Sequence, residues 1–457
     1  MTGDLRLAWL LTRGSDRREW WRVTLTAVGA ALATGLGLAA VAVASVSLTA
    51  SARGQVSTPY FHGLLNQPGQ RAGVVVTLLL LWVPVLGFLG QCARIGAVHR
   101  DRRLAGLRLA GATPRQVRRI AALESGLACL LGASVAAVFS ALVMVNLLER
   151  RLPLPAWVGF ALVTLAVPLL ALLVSVVALR RVVASPLGWV RRVRPGHGRI
   201  AGLALVVPAA LVGLGALLVV MRSTGPGTTA FPLLAFSAVA LTGAGAVAVA
   251  GLTARAVGRL LAARTGSPAV LLAAERLRAD PWATARTHAA VLLVTVVGVG
   301  FMGVRQMFLD SVHHPQEGLP HSPGDVAFYT TGVDLVGAAV LVALLIGLGG
   351  LAAGTAESLA TRRRGLAAQT AAGVPRKVLG RALLLETALP LAPAMLLAGA
   401  GGTAVHLVYG AFVDNRIVPV LLPLLVPVAV YAACLLAATT SLPLLHRSVH
   451  PAELRFT

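Results

Sequence analysis

Two glutamates are the residues best placed to do chemistry. Glu124 and Glu386 each lie a short way into an apolar run, five residues after an arginine, Arg119 and Arg381 respectively. A carboxylate at mid-bilayer costs about 2.5–3.5 kcal/mol, so such groups face a bundle interior or a partner. Two roles suit it there: carrying a proton, or forming a buried contact that couples a basic helix to the bundle. Five residues turn a helix by about 140°, so each glutamate faces away from its own arginine. A shallow position beside the inner headgroups also fits, because a helix N-terminus favours negative charge.

Other reactive groups are sparse. Asp334 falls near the outer end of an apolar run and reads as an interfacial acid. The stretch DSVHHPQEGLPHSPGD carries His313, His314, Glu317, His321 and Asp325. His314 and Glu317 have an i,i+3 spacing, but the surrounding prolines and glycines deny a helix to present a metal. A solvated polar loop is the expectation, and no metal is assigned. Lys377, the single lysine, sits in VPRKVLG. It lacks the preceding glycines and following hydroxyl of a phosphate loop, G-x-x-x-x-G-K-S/T. No nucleophile, base and orienting group form a recognisable set. The chain is therefore not expected to be an enzyme or to hold a cofactor.

These groups must be positioned by membrane helices. The 457 residues are 57% hydrophobic and 12% charged, with mean hydropathy +0.82, whereas soluble domains carry about 25% charged residues. The expected fold class is all-α, a polytopic membrane protein. Ten spans are predicted, at roughly 23–49, 72–92, 120–147, 156–179, 200–221, 231–253, 287–308, 331–354, 382–409 and 417–443. Cys92, Cys129 and Cys434 fall inside spans, which implies neither disulfides nor zinc.

The net charge of +24 would suggest nucleic acid in a soluble protein. Here the arginines mark cytoplasmic loops facing anionic lipid, and no nucleic-acid partner is expected. With the N-terminus inside, only Arg53, Arg71, Arg150, Arg151, Arg222, Arg305 and Arg416 fall outside, leaving 33 of the 40 basic residues inside. Both termini are thus predicted cytoplasmic. Residues 1–22, with Trp9, Trp20 and Trp21, read as an amphipathic helix along the inner surface, with no cleavable signal. The outer loops at about 50–71 and 309–330 are too short to form a folded domain.

The chain also repeats. A shift of 262 residues, without gaps, carries Arg102, Leu104, Gly111, Arg119, Leu123 and Glu124 onto Arg364, Leu366, Gly373, Arg381, Leu385 and Glu386. The spans therefore group as four, two and four, in parallel repeats. Residues 23–195 are the first repeat, 196–258 a two-span unit and 259–457 the second repeat. In each copy a basic amphipathic helix should end at a glycine, Gly111 or Gly373. Thr113 then caps, and Pro114 opens the next helix; the second copy carries its proline one residue earlier, at Pro375. A tight turn would join the short helix rigidly to a span.

The first copy, through Arg102, Arg103, Leu104, Leu107, Arg108, Gly111, Ala112, Thr113, Arg115, Gln116 and Val117, resembles the FtsX-like permease domain of ATP-binding-cassette transporters. The second copy is more degenerate, lacking the Leu-Arg pair and the threonine. SPLGWVRR at 185–192 and PLLHRSVHPAELR at 443–455 are similar to the tails that close the family's repeats. The resemblance implies a plasma-membrane permease subunit of a bacterium, over a dimer of separate ATPase subunits that hold the ATP and its magnesium. It implies docking helices at 98–115 and 359–377, involving Arg102, Arg103, Arg108, Gly111, Thr113, Pro114, Arg363, Arg364, Gly373 and Pro375. Relatives carry an extracellular domain after the first or the seventh span, and this sequence has short loops at both places. The substrate stays open, with an amphiphile favoured. A signalling role without transport, and proton-coupled transport through Glu124 and Glu386, remain as alternatives.

Overall fold

The computed structural model describes residues 17–53, 106–107, 109–147, 154–182, 230–313, 323–413 and 421–443, with isolated positions between 74 and 92. The described residues are helical, with no strand among them. The helices are α1 (Arg17–Arg53), α2 (Pro114–Leu142), α3 (Leu154–Val182), α4 (Ala230–Arg264), α5 (Pro268–Ala279), α6 (Pro281–His313), α7 (Pro323–Thr361), α8 (Arg363–Ala371), α9 (Arg376–Val413) and α10 (Leu421–Thr439). Seven of them, α1, α2, α4, α6, α7, α9 and α10, are long and apolar enough to cross a membrane. Each matches an expected span, and α3 contributes a shorter apolar stretch at Leu154–Leu170. The chain is a multi-pass α-helical membrane protein. The expected span at 200–221, the amphipathic stretch before residue 17 and most of the span at 72–92 lie outside the described residues.

The chain divides into two compact units. The first comprises Met1–Arg192 and Pro323–Ala339, the second Val193–Ser322 and Val340–Thr457. In the first unit α1, α2 and α3 pack on one another. Leu38 and Ala42 of α1 and Phe160 of α3 form a buried cluster, with Val41, Ala137, Met144 and Val163 against it. The α1 and α2 backbones meet at Gly132, where a Cβ would collide with the Ala27 carbonyl oxygen. Lipid tails are as apolar as leucine, so close contact between small residues, not expulsion of water, drives such crossings.

In the second unit α4, α6 and α9 pack mutually, with α10 against α6 and α9. The core takes Ala246, Val247 and Ala250 from α4, Trp282, Val291, Leu292 and Val296 from α6, and Leu351 from α7. Leu391, Met395 and Ala398 of α9 and Val430 and Cys434 of α10 complete it. Gly402 of α9 approaches so closely that a Cβ would stand 2.7 Å from the Val296 carbonyl oxygen. The Tyr431 hydroxyl donates to the Ala388 carbonyl at 3.3 Å, beside Pro390 and Pro393, which interrupt the α9 backbone ladder.

A twelve-residue helix, α5, was not foreseen in the stretch before the seventh span. Pro268 opens it, and Ala269, Ala273, Ala274 and Leu277 form its buried face against α4 and α9. It ends at Asp280, whose carboxylate accepts from the Ala283 N–H at 3.1 Å and so caps α6.

Candidate functional site

The short helix α8 and the turn behind it form the site in the second copy. Leu366 and Ala367 are buried, while Gly365, Ala368, Ala371 and Ala372 are exposed. Leu366 joins Leu359 at the end of α7 and Leu379 and Leu383 at the start of α9, with Leu272 of α5, Val374 and Leu442 packed around them. The helix thus stands on an apolar base from several elements and shows a face of small side chains to the surroundings.

Its end is a two-bond glycine cap. Gly373 has φ +90°; its N–H donates to the Thr370 carbonyl at 2.9 Å, and that of Val374 to the Gln369 carbonyl at 3.0 Å. These bonds satisfy carbonyls that a helix end leaves without partners. The Pro375 carbonyl then accepts from the Val378 N–H at 3.0 Å and starts α9. The chain passes from α8 to α9 through four residues, Ala372, Gly373, Val374 and Pro375.

The first copy reproduces this path. Gly111 has φ +94°, and the Ala112 N–H donates to the Leu107 carbonyl at 3.0 Å. Its α2 starts better than α9 does. Thr113 accepts from the Gln116 N–H at 3.3 Å, and the Thr113 N–H donates to Gln116 Oε1 at 2.9 Å, a complete capping box. Pro114 stands at the first helical position. In the 262-residue register Thr113 corresponds to Pro375, which offers no side-chain oxygen to cap α9.

The glutamates lie just beyond. Glu386 accepts from Arg362 Nη1 at 2.9 Å on Oε1 and 3.1 Å on Oε2. Arg276 of α5 approaches Glu386 Oε2 at 3.5 Å. One carboxylate therefore joins three elements: the turn from α7 into α8, the helix α5 and the span α9. The Glu386 and Arg276 side chains are only 14% and 15% exposed, and Arg362 is 37% exposed. Burial pulls the Arg276 pKa below the usual guanidinium value, Glu386 opposes that, and the neighbouring Arg362 adds to it. Arg381 is exposed, on the face of α9 away from Glu386, as the 140° spacing requires. Glu124 is buried, 2% exposed, while Arg119 is exposed.

Of the other expected docking residues, Arg363 is half-buried at the start of α8 and Arg364 lies in the same helix. Arg102, Arg103 and Arg108 lie outside the described residues, as do His314, Glu317 and His321. Asp334 is exposed on α7. No group of metal-ligating side chains occurs among the described residues.

Sequence reasoning missed Arg276 and Arg362 as site residues. Arg276 was legible in SPAVLLAAERLRAD, where a proline after a serine opens a segment with helical apolar spacing. That Arg362 is the arginine reaching Glu386 is not revealed by spacing within TRRRG.

Residues 75–187 match the family model described as FtsX-like permease C-terminal. The match covers the first copy of the segment; the second rests on the 262-residue register and the shared backbone geometry. No curated protein matches the sequence.

Proposed function

Because residues 75–187 match the FtsX-like permease family model, which supports a membrane component of an ABC-type transporter or related system, we propose that this chain is the permease subunit over a separate cytoplasmic ATPase dimer. In this reading α8 and the segment before Gly111 are the docking helices. The observation that carries it is the same left-handed glycine turn leading into an apolar span at both copies of the register. A helix fixed this way passes a push from below to the span it adjoins. The family is one of generally non-catalytic membrane subunits, and ATP with its magnesium would belong to the partner.

The two guanidiniums on Glu386 support an anchoring role, because the one carboxylate ties α5 and the α7–α8 turn to α9. The substrate class we assign is an amphiphile. The apolar recess of about 400 Å³ between α2 and α3, lined by Trp157, Phe160 and Leu165 among others, suits an acyl chain. The proposed setting is a bacterial plasma membrane, with both termini cytoplasmic.

The test is purification of the tagged chain from its native membranes in mild detergent. An ATPase should come with it in stoichiometric amount, and Arg102→Glu with Arg364→Glu should abolish its recovery. A chain that emerges alone in several detergents, from membranes with no dependent ATP hydrolysis, would overturn the reading. Export confined to hydrophilic solutes would overturn the substrate class.

A further inference from the structure

The span α9 belongs to two packed bodies. Its lower part, residues 376–386, goes with α8. Leu379 and Leu383 pack on Leu366 of α8 and Leu359 of α7, and Arg362 holds Glu386 at 2.9 and 3.1 Å. Its upper part puts Leu391, Ala394, Met395 and Ala398 into a different core, with α4, α6 and α10. Between the two parts stand Pro390 and Pro393. A proline has no N–H, so the Glu386 and Leu389 carbonyls lose the donor four residues on, and helices bend at such places. Two contacts reach this stretch from fixed neighbours. The Tyr431 hydroxyl of α10 donates to the Ala388 carbonyl at 3.3 Å. Arg276 of α5 lies 3.5 Å from Glu386, and α5 is itself fixed to α4, where a Cβ on Gly258 would stand 2.9 Å from the Ala274 carbonyl oxygen.

The first copy is built otherwise. In the 262-residue register Pro390 and Pro393 correspond to Ala128 and Leu131, and Tyr431 to Leu169, which has no hydroxyl. After Pro114 at its first position, α2 contains no proline. We propose that residues 386–393 are a hinge on which α8 and lower α9 swing as one lever against the core above. Tyr431 and Arg276 are the positioning residues that hold the lever where it stands, whereas α2 moves as a single rod. The two copies then answer a push from below unequally. The hinge stands on the packing and the prolines; its part in transmitting a push rests on the permease reading above.

The hinge is tested on the purified full chain alone, its native cysteines replaced by alanine, by distances between paired spin labels. Lys377→Cys with Leu396→Cys brackets the hinge, and Arg115→Cys with Ser134→Cys is the same pair in α2. All four positions are exposed, and each pair spans about 28 Å of straight helix. The α9 pair should give a distance distribution about twice as wide as the α2 pair, and Pro390→Ala with Pro393→Ala should narrow it to the α2 width. Equal widths in the parent, or a width that survives loss of both prolines, would overturn the hinge. If the double change fails to fold, the single changes decide, and narrowing by neither overturns it. Tyr431→Phe and Arg276→Gln should each widen the α9 distribution further; a residue whose loss leaves the width unchanged is not a positioning residue. The use of the hinge is read on the complex. Loss of both prolines should keep the ATPase bound while chain-dependent ATP hydrolysis falls at least threefold; unchanged hydrolysis overturns the role in transmission. Failure to recover any ATPase with the parent chain sinks the permease reading and leaves the distances to decide the hinge.

Discussion

At Gly111 and Gly373 the backbone occupies the left-handed region, and a Cβ at either would meet nothing within 4 Å. The cost of a side chain there is backbone strain alone, about 1–2 kcal/mol. Gly373→Ala should therefore lower stability by that amount, and Gly373→Asn by less, since asparagine tolerates this conformation. Thermal melts of the purified chain in detergent check the order. Thr113→Ala removes one half of the capping box and should cost about 1 kcal/mol. Adding Gln116→Ala should cost little more, because the two side chains serve each other.

Among elements, α5, the α7–α8 turn and α9 are joined by Glu386. Glu386→Gln would leave Arg276 and Arg362 near one another without their shared counter-ion. Arg362→Gln would still leave Glu386 with Arg276. The first change should be the costlier, by about 1–2 kcal/mol on the scale of charge-assisted hydrogen bonds, with Arg362 discounted for its exposure. Comparing the two melts tests the arrangement. Helix crossings give a second contrast. Gly132→Ala places a methyl group against the Ala27 carbonyl oxygen and must push α1 from α2, at about 1–3 kcal/mol. Gly35→Ala, with open space around it, should be neutral or gain up to about 1 kcal/mol from helix propensity.

For the whole molecule, the distribution of basic residues predicts both termini inside, and labelling tests that arrangement. In a chain with Cys92, Cys129 and Cys434 replaced by alanine, Asn415→Cys should react with a membrane-impermeant maleimide in intact cells. Arg191→Cys should react only after the membrane is opened. The opposite pattern would invert the topology and move the docking helices away from any cytoplasmic ATPase.

Much of this was legible in residue types. Long uncharged runs must become helices in a membrane, because backbone groups there have no water to bond. The repeat marked both glycines, and Thr113 marked the cap, since these depend on neighbours within a few positions. What stayed hidden was direction and distance in space. Three arginines stand together in TRRRG, and packing of α8 on Leu359, Leu379 and Leu383 turns Arg362 to Glu386. Arg276 meets that carboxylate across 110 positions of chain. By itself the sequence determined the seven helices apolar and long enough to cross a membrane and the glycine turns at Gly111 and Gly373, because burial and backbone sterics act locally. Only the tertiary structure decided which charges meet, because that depends on how α5, α8 and α9 pack.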